Sequence, residues 1–156
     1  MSDVRVPMKM KMSGQENLKH FASILHYMKA VDKDLKMEAT PHSLILRALN
    51  GPKTAYSSVE LSSNFFDHGT YSTTPPLQRD DPCFSCKLPV KFLCGVAKSF
   101  KNCNTLSMRA EITEETQKFE LVCELHSPNQ IKCRYRFKYE EGDHLSAVFD
   151  TAGASY

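Results

Sequence analysis

The residues able to do chemistry are numerous but dispersed. Cys83 and Cys86 form one Cys-x-x-Cys pair, the spacing that opens many zinc sites. A tetrahedral site needs a second pair, and Cys94, Cys103, Cys123 and Cys133 supply no matching interval. A redox pair would sit at a helix N-terminus, where the thiolate is stabilised, whereas this one lies in an extended run ending at Pro89. His26 falls within a helical stretch and His42, His68, His126 and His144 fall in turns, with no nucleophile elbow beside them. The acid pairs Asp80-Asp81, Glu114-Glu115 and Glu140-Glu141 read as isolated loop features. A chain with six glycines offers no glycine-rich phosphate loop. The expectation is therefore no catalytic residue, no metal and no cofactor.

Cations are patterned more clearly. Lys132, Arg134, Arg136 and Lys138 alternate with Ile131, Cys133, Tyr135, Phe137 and Tyr139, which puts four positive charges on one face of a strand. Such a row guards an edge against wrong pairing, and it also suits an edge reserved for one partner. Glu120 and Glu124 on the preceding strand are alternative, internal partners for it.

Two helices carry the other cations. From Gln15 to about Val31, Leu18, Phe21, Ile24, Leu25, Met28 and Val31 fall on one stripe, with Lys19, Ser23, His26 and Ala30 opposite. Ser13 and Glu16 have the spacing of a capping box. From Val90 to about Asn102, Phe92, Leu93, Val96, Ala97 and Phe100 form the apolar side. Lys91, Cys94, Gly95, Lys98 and Asn102 face away, with Lys101 beside them. The second helix has no acid, and Glu16 stands in the first turn of the first, where the helix dipole favours it. Lysine supplies charge without reading bases, so two such faces suit a phosphate backbone in a salt-sensitive, sequence-blind contact. Ordinary solubility accounts for exposed lysines equally simply.

The elements that must position these faces recur. Val6, Met8, Met10 and Met12 alternate as a strand before the first helix. Three strands follow it, around Leu35–Ala39, Leu44–Leu49 and Ala55–Leu61, the last two joined by an Asn50-Gly51 hairpin signal. After the polar, proline-rich stretch 62–82, the order repeats: Phe84–Leu88, the second helix, then Leu106–Ile112, Phe119–Leu125 and Ile131–Tyr139. Strand-helix-strand-strand-strand twice predicts an α+β fold with two helices on one face of a curved antiparallel sheet.

Composition agrees with a globular domain. The chain has 156 residues, 41% hydrophobic and 24% charged, enough for a substantial core. Twenty Lys and Arg against 18 Asp and Glu leave a formal charge of +2, so any nucleic-acid contact must come from local placement. The start, MSDVRVPMKMKM, lacks a signal-peptide core, and no apolar stretch reaches the ~20 residues of a membrane helix. The cysteines are expected as free thiols and no membrane association is expected.

The doubled plan resembles one domain of the sliding clamps of the PCNA type. Among these it is similar to the Rad-nine subunits of the nine–one–one DNA-damage checkpoint clamp. The residues carrying the likeness are Leu46-Arg47-Ala48-Leu49-Asn50, Ala55-Tyr56 and Asn64-Phe65-Phe66. Further on they are Cys86-Lys87, then Lys91, Leu93, Val96, Lys98 and Ser99, and finally Leu145 to Asp150. The resemblance implies a DNA-clamp domain over 6–145, with repeats at 6–61 and 83–140 joined by 62–82. Residues 1–5 would be an extension and 146–156 the start of a link whose second clamp domain is absent. It implies that Lys19, Lys91 and Lys98, with Ser23, His26 and Lys101 beside them, face duplex DNA without sequence preference. It also implies that Ile131 to Tyr139 pairs with a neighbouring subunit. The partners implied are two sister subunits in a heterotrimer, a clamp loader and DNA; the setting implied is the nucleus and checkpoint signalling and repair. The non-enzymatic scaffold is the leading expectation. The alternatives are a metal-dependent 3'-5' exonuclease, which would need converging carboxylates, and a truncated clamp fragment that does not assemble.

Overall fold

Met8, Met10 and Met12 are all buried while Lys9 and Lys11 between them are exposed, the period of a strand covered on one side. The same logic runs along the computed structural model, which describes residues 4–49, 56–75 and 82–141. The first half contains β1 (Val4–Arg5), β2 (Met8–Ser13), α1 (Gln15–Val31), β3 (Asp34–Ala39), β4 (Ser43–Leu49) and β5 (Tyr56–Ser62). A single 3-10 turn (Ser63–Phe65) and β6 (Ser72–Thr73) lie in the connecting stretch. The second half contains β7 (Phe84–Pro89), α2 (Val90–Ala97), a 3-10 turn (Phe100–Asn102), β8 (Thr105–Thr113), β9 (Lys118–His126), β10 (Lys132–Lys138) and β11 (Glu140–Glu141).

The fold is α+β, two helices over antiparallel strands, and the strands divide into two hydrogen-bonded sheets. One runs β10-β9-β8-β2-β6, with β1 also on β8; the other runs β11-β7-β3-β4-β5. The halves therefore exchange their first strands. β2 pairs with β8 of the second half, Lys9 opposite Arg109 and Met12 opposite Leu106. β7 pairs with β3 of the first half, Leu35 opposite Leu88 and Met37 opposite Cys86. One continuous core results, from Met8 and Phe21 to Leu88, Phe100 and Leu125. Phe21 of α1 stacks on Phe100 at 6.4 Å. The Gln15 amide donates to the carbonyls of Phe100 (2.9 Å) and Cys103, fastening the start of α1 to the second half.

Several expectations are corrected. The N-cap of α1 is Gly14 at φ 93°, a conformation that favours glycine, and no side chain caps it. Ser13 instead donates its hydroxyl to Asp67 at 2.5 Å, so the capping box does not form. α2 ends at Ala97, and Asn102 and Lys101 lie in the following 3-10 turn. Cys94 is buried rather than facing away. Lys36 and Glu38 of β3, which pairs with β7 and β4, are both buried although they alternate with the core residues Leu35, Met37 and Ala39. Their ion pair at 2.9 Å, with Arg47 at 3.7 Å from Glu38, offsets the desolvation. Glu140–Glu141 is a short strand on β7 rather than loop. The stretch expected as a plain loop is partly ordered by Tyr71, which donates to Thr40 O and Ser43 O at 2.6 and 2.5 Å and stacks on Phe66. The Asn50-Gly51 turn, Asp80-Asp81, His144 and the segment Leu145 to Asp150 lie outside the described residues. The β4–β5 pairing on either side of that turn is present, Leu49 opposite Tyr56.

Candidate nucleic-acid interface and open strand edge

Each helix buries one stripe and leaves the other in water. On α1, Leu18, Phe21, Leu25 and Met28 are buried, whereas Lys19, Ser23 and His26 are exposed along the opposite side. On α2, Lys91 and Lys98 are exposed at either end of the stripe that includes Gly95. Lys101 is exposed in the turn beyond. The helices pack against each other. Burial pushes the Cys94 thiol of α2 up, and the positive charges of Lys29 on α1 and Lys98 on α2 act in the other direction. No carboxylate pairs with Lys19, Lys91, Lys98 or Lys101 among the described residues, so these charges are available to an anion. Sequence phase alone passed over Tyr27, 59% exposed on α1, and Lys29 on the same helix. Both sit about one step round the helix from the lysine stripe, a position that 3.6-residue periodicity reaches if the stripe is drawn wider.

β10 has β9 on one side and no strand on the other among the described residues. Of the predicted edge residues, Ile131 precedes the strand and is exposed, and Tyr139 follows it and is buried against Phe84 and Phe119. The basic row of Lys132, Arg134, Arg136 and Lys138 does line one face, but its first three members are engaged internally. Arg134 donates to Glu124 at 2.9 and 3.1 Å, and Lys132 lies 3.7 Å from the same carboxylate. Arg136 reaches Glu111 at 2.9 Å and Glu120 at 3.3 Å. Arg109 bridges Glu111 at 2.6 Å and Glu124 at 2.5 Å. This lattice covers Val122, which is fully buried between Arg109 on β8 and Arg136 on β10. Arg109 and Glu111 were missed because alternation gives the face of a residue and not its cross-strand neighbour.

Electrostatics follow the geometry. Burial pushes the Glu124 carboxyl upward, but hydrogen bonds and charge from Arg109 and Arg134 outweigh it and hold the group at about 2. Glu111 is lowered for the same reason, Arg109 and Arg136 overriding its burial. The other face of β10 is aromatic. Phe137 stacks on Phe92 of α2 at 5.1 Å, Tyr135 on Phe137 at 6.2 Å, and Lys91 Nζ stands 6.0 Å from the Phe92 ring. Tyr135, Phe137 and Phe92 are half-buried and Cys133 is exposed, so this stack is the apolar part of the open edge. The signal was present in Tyr135 and Phe137, two positions apart in β10.

The cysteine pair has no reactive geometry. Cys86 is buried in β7, and burial raises its thiol, as it raises that of Cys123 to about 12. All six cysteines are free. Among the described residues, no three His, Cys, Asp or Glu side chains converge on a point that could hold a metal ion. No helix among them is long and apolar enough to cross a membrane.

Comparison with known structures defines the class of the fold. The crystal structure of PCNA from Thermococcus kodakaraensis superposes with a TM-score of 0.65 at 12% identity, covering 87% of this chain and 48% of that one. The domain is thus a PCNA-like clamp domain, and the chain spans about half the length of that relative. The sequence places it more narrowly. The Rad9 family model matches residues 21–156, and the chain belongs to the Rad9 family.

Proposed function

We propose that this chain serves as part of a checkpoint sliding-clamp subunit, a non-enzymatic scaffold held on duplex DNA beside two sister subunits. The observation that carries the reading is the pair of adjacent helices whose exposed stripes hold Lys19, Lys91 and Lys98 without carboxylate partners among the described residues. Point charges on two packed helices attract phosphates without reading sequence. The open edge of β10 supports contact with a neighbouring subunit, because its unpaired backbone groups offer strand addition. Specificity there falls to the Tyr135–Phe137–Phe92 stack, since Arg134 and Arg136 are already engaged. Loading by a clamp loader, nuclear localisation and roles in damage signalling and repair belong to the same proposal. Among the described residues no carboxylates converge on a possible metal position, and Glu111, Glu120 and Glu124 are held by arginines, so nothing there favours the exonuclease alternative.

The test is co-expression with two candidate sister subunits, followed by light scattering and duplex binding. A defined heteromeric complex is expected. Reversing Lys19, Lys91 and Lys98 to Glu is expected to weaken duplex binding at least ~10-fold, equally for unrelated sequences, and to lower the salt slope by about three. Phe137→Ser is expected to reduce complex yield more than Lys138→Ser does. Unchanged DNA affinity in the triple variant would overturn the channel assignment. A monomer despite both sisters would overturn assembly by this chain.

A further inference from the structure

The face of the β10-β9-β8-β2 sheet turned away from the helices has a cleft of about 370 Å³, floored by β2 and β8 and walled by Gly69 and Thr70. Lys9 and Lys11 project on this face, since Met8, Met10 and Met12 project into the core. Lys9 lies directly opposite Arg109 across the β2–β8 pair. Like charges set directly opposite repel, but Arg109 is already paired with carboxylates, so the charge on this face that still lacks an anion is that of Lys9 and Lys11. The Arg109 guanidinium is held by Glu111 on its own strand β8 and by Glu124 on β9. Neither Lys9 nor Lys11 has a carboxylate within ion-pair distance among the described residues.

We propose that this cleft docks an extended acidic peptide segment of a protein partner. Lys9 and Lys11 are alternate residues of one strand, so their side chains emerge roughly 6.6–6.8 Å apart. Two carboxylates at alternate positions of an extended segment have the same spacing. Glu124 on the wall can accept a peptide N–H, a donor that a phosphodiester backbone lacks. The cleft admits a few side chains and is too small for a duplex. The proposal is independent of the DNA reading because it uses the opposite face.

The test uses the full chain and a fluorescein-labelled peptide carrying two glutamates at alternate positions, read by anisotropy at two salt concentrations. A control peptide carries the same two glutamates four residues apart. Lys9→Glu with Lys11→Glu is expected to weaken the first peptide at least about tenfold, and the control to bind the unmodified chain several-fold less well. Lys19→Glu with Lys91→Glu, on the helices, is expected to leave the first peptide unaffected. Lys9→Gln with Lys11→Gln, a milder change at exposed positions, should give a smaller loss with an unchanged melting curve. Equal binding of the two peptides would reduce the cleft to diffuse attraction and overturn the site. So would a Lys9/Lys11 reversal that weakens duplex DNA while sparing the peptide, which would make this face a nucleic-acid surface.

Discussion

Separated halves of this domain are expected not to fold. Introducing a protease site between Pro75 and Pro82 and isolating the two pieces in denaturant should give two chains without a cooperative thermal transition. Mixing them should restore one. The reason is the strand exchange, which removes β2 from one sheet and β7 from the other whenever the halves part. β2 alone contributes Met8, Met10 and Met12 to the core. Burying each such side chain is worth about 1.5–3 kcal/mol, so three amount to roughly 5–9 kcal/mol. That rivals the whole net stability of a domain, about 5–15 kcal/mol. A cooperative transition in either isolated half would contradict this account.

Glu124→Ala is the second change with a large expected effect. Glu124 is 7% exposed and serves Arg109, Arg134 and Lys132 together. Its loss leaves Arg109, itself only a quarter exposed, with half of its hydrogen-bond partners. Breaking a buried pair costs about 3–5 kcal/mol and an exposed one at most about 1, so an intermediate cost of about 2 kcal/mol is expected. A lower urea midpoint with an unchanged slope would register it. The pH dependence has a definite sign. The folded-state pKa of Glu124 lies at about 2, below its ordinary value, so its contribution is complete above the unfolded pKa and is lost as pH falls through the folded one. The unmodified chain should therefore lose stability from about pH 5 down to about 2, and the alanine variant should show a shallower loss across that window. Parallel curves for the two proteins would contradict the assignment. Reversing Arg134 and Arg136 would damage the same lattice, so those residues make poor reporters of assembly.

Much of this was legible in the sequence, for identifiable reasons. Met8, Met10 and Met12 announced a strand with one buried face, and Leu18, Phe21, Leu25 and Met28 announced a helix, because burial imposes periods of 2 and 3.6. The repeat gave the helices and their lysines as a matched pair. Strand partnership was not legible. Periodicity says which side of β2 is covered, and nothing local says that β8 rather than β3 lies beside it. The burial of Lys36 and Glu38 was not legible either, since alternation marks charged residues as outward and a central strand can bury both faces when its charges pair. The second helix was drawn too long because Phe100 keeps the apolar phase after the chain has passed into a 3-10 turn. Cys94 was assigned outward by phase, yet it is buried where the two helices pack together in one core. On the strand edge the cations were found correctly and their partners only in part, because Arg109 and Glu111 enter through register.

The exchanged strands also set a schedule for synthesis. Lys9 and its partner Arg109 are separated by 100 positions in the chain. At ~5–20 residues per second, a ribosome needs roughly 5–20 s to span that interval. Throughout it, the edge of β2 that will pair with β8 has no partner, and only the short β6 is available to the other edge. β3 waits similarly for β7, which emerges only shortly before β8. The strands that join the two halves, β7 and β8, thus arrive together in the stretch Phe84–Thr113, and until then the first half has no second-half strand to pair with.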